Sequence, residues 1–513
     1  MNGAKSLVET LLASGVDTCF ANPGTSEMHF VAALDQVPGM KCVLGLQENV
    51  VTGMADGYFR IARKPACTLL HCGPGFSNGM GNLHNARRAR SGIVNIVGDQ
   101  ATYHRPFDAP LTADTTGMAQ TVSAWVHTST RTADLGRDAV DAVRAARTYP
   151  GQIATLILPA DVSWQDGGVV GIPMDPPPPP AIDSSAIEGA ARMLRDNRDV
   201  LILLAGHGAF TDAQGLAQRI ASATGATVMA DFLASHLARG RGNMQLERVP
   251  YVMESAYKAL ERFKHVILVN ARPPVGFFGY PGLPSIQHAP DARFHVLSRP
   301  DQDPVEALKG LVKALDAPEA AIPDAGPRPE PVGGAPTPEG LAQTVAALMP
   351  ENSIISDESI SYGRGFYKYT HAAPAHDWLH LAGGAIGDGM PVATGAAIGA
   401  GRQRRVINLQ ADGSAMYSLQ ALWTQAREQL PVTTIILNNS KYNILIGEYE
   451  NVGAVPGATA MSMLDLGNPA LSWVSLANGM GVEAARATTL DQCADLMRDS
   501  FGRSHPFLIE LMV

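Results

Sequence analysis

Two short polar segments in the C-terminal part of the chain could together hold a divalent cation. Asp412 opens an Asp-Gly-Ser segment after one apolar run, and Asn439 closes an Asn-Asn segment after the next apolar run, 27 residues later. Mg²⁺ prefers oxygen ligands and usually takes only one or two of them from carboxylates, with phosphates and water supplying the rest. With the backbone carbonyl of Lys441 as a further oxygen, Asp412 and Asn439 are candidate ligands for a magnesium ion that holds a diphosphate.

The elements around these residues predict that both side chains lie at one edge of a sheet. Residues 405–410 and 432–437 are typical of buried parallel strands, and residues 415–429 carry apolar side chains at helical spacing. Asp412 and Asn439 would then face the crevice at the carboxyl ends of adjacent strands, where helix N-termini and glycine backbone can approach phosphate oxygens. Either segment alone is more often a turn or a loop, so the specific signal is the pair at this spacing.

A carboxylate in the N-terminal part of the chain is predicted to begin a helix. Residues 46–58 are helical in pattern and follow the apolar run 43–46. Most first-turn glutamates only complement the helix dipole. Glu48, however, would lie at a strand end close to the core, where a carboxylate is unfavourable unless it has a partner or a chemical role. We therefore interpret Glu48 as a functional residue.

These motifs resemble those of thiamine diphosphate (ThDP) enzymes, in which Gly-Asp-Gly is followed by about two dozen residues and Asn-Asn. The first glycine is Ala411 here. The resemblance spans essentially the whole chain, including residues 22–27, 70–75 and 383–391, and is to the acetolactate synthase and benzoylformate decarboxylase branch. It implies ThDP and Mg²⁺ as cofactors and an α/β fold with three doubly wound parallel-sheet domains.

The resemblance assigns roles to the residues that would contact the cofactor. In this family the glutamate matching Glu48 hydrogen-bonds the aminopyrimidine ring and thereby promotes removal of the thiazolium C2 proton. Ile386 matches the large apolar side chain beneath the bent cofactor, although a core isoleucine would be buried to a similar extent. The other cofactor-binding residues that the resemblance implies are Ser361, Gly413, Ser414 and Leu445.

Three positions are compared with the substrate-contacting residues of benzoylformate decarboxylase. His71 matches an active-site histidine, and a histidine can carry protons to and from a reacting carbon near neutral pH. Thr25 matches a serine that contacts the substrate carboxylate. The second active-site histidine of that enzyme is absent here. The aligned residues 274–280 contain no histidine, and Phe278 lies nearest to its position. His104, from a neighbouring loop, is an alternative to it that we do not favour.

Three classes of function follow from these residues. A 2-oxo acid decarboxylase is favoured by His71 and by Leu445, which stands where pyruvate decarboxylases carry an acidic residue. An acetolactate synthase-like carboligase is the alternative, but residues 440–447 lack the tryptophan with which those synthases select their second oxo acid. An inactive cofactor-binding paralogue is disfavoured because Glu48 and both side-chain magnesium ligands are present.

The size of the substrate is predicted from the aromatic segment 277–280. Apolar burial contributes about 25 cal/mol per Å², which favours small 2-oxo acids with aromatic or branched tails over pyruvate. The opposite outcome, in which the rings fill the pocket and exclude bulky tails, stays open.

Composition excludes several other classes of protein. The chain has 513 residues, 46% apolar and 17% charged, enough for about three domains with their own cores. A net charge of −9 argues against nucleic acid or acidic membranes as partners. Neither a signal pattern nor an apolar run of membrane-spanning length is present, so we expect a cytoplasmic protein. Its five scattered cysteines are expected to be reduced thiols.

The domain organisation is predicted from two linkers. The proline run 173–180 and the Pro-, Ala- and Gly-rich segment 316–339 separate three α/β regions. The predicted bounds are 1–168 for the pyrimidine domain, 182–318 for a central domain and 338–513 for the diphosphate domain. The central domain holds FAD in acetolactate synthases, but residues 205–209 lack the third glycine of a dinucleotide motif, so FAD is not expected. The family further implies a homodimer or homotetramer, because the glutamate and the magnesium ligands reach one cofactor from different subunits.

Overall fold

The computed structural model describes all 513 residues and contains three β-sheets. The N-terminal part forms the first sheet, with strands β1 (Thr18–Asn22), β2 (Lys41–Leu44), β3 (Ala66–Leu70), β4 (Ile93–Asp99), β5 (Trp125–Thr128) and β6 (Ile153–Pro159). Its helices are α1 (Gly3–Ala13), α2 (Met28–Gln36), α3 (Glu48–Ala62), α4 (Cys72–Ala89), α5 (Thr115–Val122), α6 (Leu135–Ala146) and α7 (Ala160–Trp164). All strands are parallel, in the order β2-β1-β3-β4-β6-β5.

The middle of the chain forms a second, smaller parallel sheet. The strands in this part of the chain are β7 (Val200–Leu204), β8 (Thr227–Ala230), β9 (His236–Arg239), β10 (Glu247–Arg248), β11 (His265–Val269) and β12 (Arg293–Ser298). Its helices are α8 (Ser184–Asp196), α9 (Thr211–Thr224), α10 (Met253–Leu260) and α11 (Pro304–Leu315). The strand order is β10-β8-β7-β11-β12, and β9 is not part of this sheet. Ligands of such doubly wound sheets bind where the strand order reverses, which here is between β7 and β11.

The C-terminal part forms the third sheet, with strands β13 (Ile354–Glu358), β14 (His376–His380), β15 (Val406–Ala411), β16 (Val432–Asn438), β17 (Glu483–Ala487) and β18 (Phe507–Met512). Its helices are α12 (Pro338–Leu348), α13 (Phe366–Tyr369), α14 (Gly389–Gly399), α15 (Asp412–Ala415), α16 (Ala421–Arg427), α17 (Asn443–Val452), α18 (Ala458–Ser462), α19 (Trp473–Gly479) and α20 (Leu490–Phe501). The order is β17-β18-β16-β15-β13-β14-β9, and only β9 runs antiparallel to its neighbour. The central strands are buried on both faces, as their apolar runs predict.

The predicted α/β fold with three parallel sheets is confirmed, with two local differences. The antiparallel edge strand β9 comes from the middle of the chain but pairs with β14 of the third sheet. The helix predicted over 415–429 is instead divided into α15 and α16. The linker 173–180 lacks helix and strand, and so does the second linker up to residue 337, where α12 follows at Pro338. The domain bounds 1–168, 182–318 and 338–513 remain predictions.

The first and third sheets are joined through a close contact between α3 and α14. A Cβ on Gly57 would lie 2.1 Å from the carbonyl oxygen of Val392, and a Cβ on Gly395 would lie 1.9 Å from that of Met54. Side chains at these two positions would therefore separate the helices. The two glycines allow backbone-to-backbone packing, which holds the N-terminal end of α3 and the loop before α14 in a fixed relation.

No helix is both long enough and apolar enough to cross a lipid bilayer.

Candidate active site

Asp412 and Asn439 lie directly after the ends of the adjacent parallel strands β15 and β16. The Asp412 carboxylate accepts hydrogen bonds from the backbone N–H groups of Gly413 (2.9 Å) and Ser440 (2.7 Å). Asn439 is half-buried, and its Oδ1 accepts a bond of 3.1 Å from the N–H of Lys441. The bond from Ser440 to Asp412 ties the two strand ends together, so carboxylate and amide oxygens lie at one edge of the sheet.

The surroundings of Asp412 distinguish it from an ordinary surface carboxylate. Only 2% of the residue is exposed, and this burial raises the pKa of Asp412, an effect that its backbone donors oppose. The Oδ1 of the neighbouring Asn438 is already engaged, because it accepts bonds from the N–H (3.0 Å) and the hydroxyl (3.1 Å) of Ser440, while its Nδ2 donates to Oε1 of Glu510 at 2.8 Å. Asp412 and Asn439 therefore supply the side-chain oxygens available to a cation here.

Gly413 and Ser414 form the first turn of α15. A Cβ on Gly413 would lie 2.5 Å from Cε1 of Tyr442, so the helix start and the segment after β16 are in close contact. The Ser414 hydroxyl accepts a bond from Nε2 of Gln410 (2.7 Å) and donates to the carbonyl of Ala411 (3.1 Å). Both hydroxyl roles are satisfied within the protein, so the contact from Ser414 to a diphosphate stays a prediction.

Glu358, which the sequence analysis did not identify, holds the loop that carries Ile386. It is 1% exposed, and its two carboxylate oxygens accept bonds from the N–H groups of Gly387 (2.7 Å) and Gly389 (2.8 Å). Burial raises the pKa of Glu358 in spite of these donors. Its position three residues before Ser361, at the end of β13, was the available signal.

A cavity of about 200 Å³ lies beside this loop. Ile386 forms part of its lining, and the aromatic rings of Phe277 and Phe278, with centroids 5.1 Å apart, form another part. Ile444 also lines it, whereas the adjacent Leu445 is 45% exposed on α17. The cavity is several times the roughly 30 Å³ that one water occupies, which leaves room for a small organic acid.

In the N-terminal part, Glu48 is the first residue of α3 and is half-buried. Its Oε2 accepts a hydrogen bond from Nδ2 of Asn78 on α4 at 3.1 Å. A Cβ on Gly75 would lie only 3.1 Å from Oε1 of Glu48, so α4 passes close to the carboxylate. The asparagine orients the carboxylate, and the structure gives Glu48 no cationic partner.

His71 directly follows β3 and is paired with Glu27, a residue that the sequence analysis missed. The ring Nδ1 lies 2.9 Å from Oε2 of Glu27, and the Glu27 side chain is fully buried. Glu27 also accepts a bond of 2.7 Å from the N–H of Gly24. Thr25 is exposed in the same short 3-10 turn, Thr25–Glu27. The predicted residues His71 and Thr25 therefore both lie next to Glu27, whose carboxylate orients the His71 ring.

The contact with Glu27 determines the protonation of His71. The hydrogen bond to Glu27 raises the pKa of His71, and the charges of Glu27 and Glu48 act in the same direction, while burial opposes them. Burial raises the pKa of the neighbouring Cys72 to about 11, so its thiol is not a nucleophile at neutral pH. His71 is thus the group in this cluster that can exchange a proton under physiological conditions.

Within one chain the predicted residues form two separate groups. One group is Glu48, His71 and Thr25, and the other is Ser361, Ile386, Asp412, Gly413, Ser414, Asn439 and Lys441. No hydrogen bond or ion pair joins a member of the first group to a member of the second. His104 is exposed and packs against Phe107, with ring centroids 6.0 Å apart.

Comparison with known proteins identifies the class to which this arrangement belongs. Residues 1–124 match the model of the thiamine pyrophosphate enzyme N-terminal TPP binding domain, and residues 361–511 match that of the C-terminal TPP binding domain. The chain is 47% identical to the Mycobacterium tuberculosis protein named "Putative acetolactate synthase large subunit IlvX", over 100% of this chain and 99% of that protein. The chain therefore belongs to the thiamine pyrophosphate (that is, ThDP) enzyme family.

Two further proteins resemble this chain, one in sequence and one in fold. The benzoylformate decarboxylase of Pseudomonas aeruginosa is 29% identical over 98% of this chain and 97% of its own. The solved structure of a thiamine diphosphate-dependent 4-hydroxybenzoylformate decarboxylase of Rhodococcus jostii has the same fold, with a TM-score of 0.83 at 24% identity over 99% of this chain and 98% of that one. The predicted family is confirmed, and with it a ThDP-dependent enzyme.

The residues present fit the cofactor and a hard cation. Asp412 and Asn439 offer carboxylate and amide oxygens at adjacent strand ends, the donor chemistry that Mg²⁺ prefers, and Lys441 is tied to this edge by its N–H bond to Asn439. The burial of the Asp412 carboxylate without a cationic side-chain partner is the specific sign, because such a charge is unfavourable unless compensated.

Glu27→Gln should lower the pKa of His71. A neutral amide cannot stabilise the imidazolium, so the ring would lose its proton at lower pH than in the parent. Because the folded-state pKa is raised in the parent, the stability from this pair is fully present below the ordinary histidine value of 6.5 and is lost as pH rises through the folded value. NMR titration of ¹³C-labelled histidine and unfolding measured across pH test both effects.

Gly98→Ala is the matched change for this prediction. A Cβ at Gly98 would lie 1.5 Å from Oε1 of Glu27, so the glutamate would have to move while its charge is kept. We expect the pKa of His71 to fall in this variant too. A His71 titration that is unchanged in both variants would contradict the role given to Glu27.

Proposed function

We propose that the protein is a ThDP- and Mg²⁺-dependent decarboxylase of 2-oxo acids with aromatic or branched tails. The observation that carries this proposal is the cavity of about 200 Å³, in which the Phe277 and Phe278 rings line the same space as Ile386. Bound ThDP supplies a nucleophilic carbon and an electron sink for loss of CO₂. The remaining chemistry is assigned to side chains of the protein.

The N-terminal residues are proposed to handle protons and the substrate carboxylate. Glu48, whose carboxylate Asn78 orients, would hold or give up a proton at its carboxylate beside the bound cofactor. His71, held by Glu27, delivers a proton to the product or removes one, which requires a group that titrates near neutral pH. Thr25, on the exposed turn next to Glu27, offers a hydroxyl to the carboxylate of the substrate.

The C-terminal residues are proposed to hold the cofactor. Asp412, Asn439 and the carbonyl of Lys441 would bind the magnesium ion, and Ile386 would contact the cofactor from a loop that Glu358 fixes. The further residues proposed to contact the diphosphate are Ser361, Gly413 and Ser414. Because no hydrogen bond or ion pair links these residues directly to the Glu48 group within one chain, we propose that a homodimer, alone or paired into a tetramer, completes each site.

Substrate preference tests this proposal directly. An aromatic 2-oxo acid should have the higher kcat/KM when compared with pyruvate, by roughly 10-fold to 150-fold, if one or two additional groups are buried against the Phe277–Phe278 wall. Phe278→His should shift the ratio of kcat/KM for benzoylformate to kcat/KM for pyruvate toward benzoylformate, because it places a polar ring in that wall. Phe278→Leu, which keeps the wall apolar, is the control and should move the ratio less.

The same assay separates decarboxylation from carboligation. Products would be identified as aldehyde or acyloin, and an aldehyde from an aromatic acid is expected. A clear preference for pyruvate with acyloin as product would overturn the proposal. It would instead support the second candidate, an acetolactate synthase-like carboligase, which the 47% identity to the "IlvX" protein favours.

A further inference from the structure

Three residues at the carboxyl edge of the first sheet bring together three kinds of metal-binding atom. Nδ1 of His71 lies 2.9 Å and 3.2 Å from the two carboxylate oxygens of Glu27, and 3.7 Å from Sγ of Cys72. One ligand atom from each residue lies within 4.8 Å of the other two. The proposed function uses Glu27 and His71 and leaves the Cys72 thiol without a role.

The distances between these atoms match the edges of a tetrahedral zinc site. Zn²⁺ binds histidine nitrogen at about 2.0–2.1 Å, thiolate sulfur at about 2.3 Å and carboxylate oxygen at about 2.0–2.2 Å. At tetrahedral angles these lengths place nitrogen and sulfur about 3.5 Å apart, and nitrogen and oxygen about 3.3 Å apart. The 3.7 Å from Nδ1 of His71 to Sγ of Cys72 and the 3.2 Å from Nδ1 to Oε1 of Glu27 are close to these values. An ion could therefore bind after only small side-chain rotations.

The short turn Thr25–Glu27 and the start of α4 hold the three side chains in place. A Cβ on Gly24 would lie 2.3 Å from Cγ of His71, so the chain before the turn packs directly on the ring. The N–H of Gly24 donates to Oε2 of Glu27 at 2.7 Å, and the Ser26 hydroxyl lies 3.3 Å from Sγ of Cys72. Since these groups are already ordered, little conformational entropy is lost when a ligand binds them.

The charges around the cluster favour a cation. Burial raises the pKa of the Cys72 thiol, and the charges of Glu27 and Asp99 raise it further. Asp99 is 1% exposed, and its Oδ2 has no hydrogen-bond partner. The single ion pair of this carboxylate is with Nε of Arg105, at 3.5 Å. Glu48 is a third carboxylate whose charge acts on the cluster. A bound cation would offset this excess of negative charge.

The backbone of Cys72 indicates that its side chain is needed. Cys72 is the first residue of α4 and lies in the left-handed region, with φ of 51°. Glycine adopts this conformation without strain, and glycines stand at the next position and at position 75. A cysteine at the strained position, with its sulfur beside a histidine nitrogen, favours a role for the thiol.

We propose that Glu27, His71 and Cys72 form a Zn²⁺ site through which the ion reversibly inhibits the enzyme. Soft thiolate and imidazole ligands select Zn²⁺ over Mg²⁺. As the Zn–S bond forms, the Cys72 thiol releases its proton to solvent, and the proton on Nδ1 of His71 moves to solvent or to Nε2. Three protein ligands leave the fourth position to water.

The inhibition rests on the proton transfer proposed for His71, whereas the binding of the ion does not. A ring that binds Zn²⁺ through Nδ1 carries its single proton on Nε2 and cannot accept a second one. The histidine would then be unable to cycle between its acid and base forms. The ion would also take the Glu27 carboxylate away from the imidazole that it orients.

Binding is tested by calorimetric titration of the full-length protein with Zn²⁺, at saturating Mg²⁺ and without ThDP. About one ion should bind per chain. Co²⁺, used as a coloured probe of the same site, should give the absorption band of a cobalt–thiolate bond. Asp412→Ala protein should bind Zn²⁺ as tightly as the parent, which separates this site from the predicted magnesium site. No binding of Zn²⁺, or bound Co²⁺ without the thiolate band, would overturn the proposal.

Substitutions of two cysteines assign the sulfur ligand. Cys72→Gly and Cys72→Ser should each lower the affinity for Zn²⁺ about 100-fold or more, because a direct ligand is lost. Cys42→Ser, which removes the exposed thiol of β2, should leave it unchanged. Glycine also relieves the strained φ at position 72, so the Cys72→Gly protein should unfold at no lower temperature than the parent. Zn²⁺ affinity that is unchanged in both Cys72 variants would exclude the site.

Activity measurements show what the bound ion does. At saturating Mg²⁺ and ThDP, Zn²⁺ should lower the decarboxylation rate of the parent about 100-fold or more, and a chelator followed by fresh Mg²⁺ should restore it. Cys72→Gly protein should be active without Zn²⁺ and resist inhibition. Zn²⁺ that binds through Cys72 without loss of activity would keep the site and overturn both the inhibition and the role of His71. The binding measurements decide the site even if no 2-oxo acid is decarboxylated.

Discussion

Glu48→Gln should leave the fold intact and lower kcat by roughly 10²-fold to 10⁴-fold, the range that general acid–base groups contribute. The carboxylate lies at the start of α3 and accepts a hydrogen bond from Asn78. Glutamine is nearly the same shape but cannot share a proton with a pyrimidine nitrogen. The direct measurement is hydrogen–deuterium exchange at C2 of bound ThDP, which should become slow while the unfolding temperature stays close to that of the parent.

Glu188→Gln provides the control for charge alone. Glu188 is exposed on α8 in the middle part of the chain, so its replacement changes net charge by the same amount without touching either predicted group. Exchange at C2 should be unaffected there. The role of Glu48 would be rejected if the Glu48→Gln protein exchanged this proton as fast as the parent.

Asp412→Ala should reduce the affinity for ThDP in the presence of Mg²⁺ by more than about 100-fold. The substitution removes a carboxylate ligand from the edge where β15 and β16 end, and a diphosphate cannot be neutralised there by the remaining oxygens. It also removes the acceptor for the N–H groups of Gly413 and Ser440. Titration calorimetry with ThDP at saturating Mg²⁺ measures the loss.

Asn439→Ala separates loss of the ligand from loss of local structure. The only hydrogen bond of its side chain is the one that Oδ1 accepts from Lys441, so the strand ends should keep their arrangement. A decrease in ThDP affinity that depends on Mg²⁺ is expected in this variant too. Undiminished cofactor affinity in Asp412→Ala would refute the proposed metal site.

Mixing the two inactive proteins tests whether partner chains share a site. If Glu48 and Asp412 act on one cofactor from different subunits, randomly mixed Glu48→Gln and Asp412→Ala chains should recover about a quarter of the parent activity, because one site of each mixed dimer is intact. Each protein alone stays inactive. Full absence of recovery, with mixed dimers detected by mass spectrometry, would contradict the shared site.

The strand ends that carry Asp412 and Asn439 could be predicted from the sequence because their cause is local. Buried parallel strands are short apolar runs, and the residue after such a run lies at the sheet edge whatever the rest of the chain does. By contrast, the interruption of the helix predicted over 415–429 could not be seen in the apolar pattern. Residues 416–420 lie between α15 and α16 outside any helix, although the apolar spacing of the segment is compatible with one.

The pairing of His71 with Glu27 could not be predicted, because it depends on the register of the first sheet. The two residues are 44 positions apart, and they meet because β1 and β3 are neighbours. The space for Glu27 depends on the absence of a side chain at Gly98 on a third strand. The antiparallel strand β9 is similarly non-local, since its partner β14 lies about 140 residues further along the chain.

The glycine contact between α3 and α14 limits how this protein can be recombined with its relatives. Gly57 and Gly395 accept no Cβ because each faces a carbonyl of the other helix. A chimera that takes its N-terminal third from one family member and its C-terminal third from another would bring together two helix surfaces that never evolved together. Fragment exchange should therefore succeed when α3 and α14 come from the same parent, as when both connectors are used as breakpoints and only the middle part of the chain is replaced.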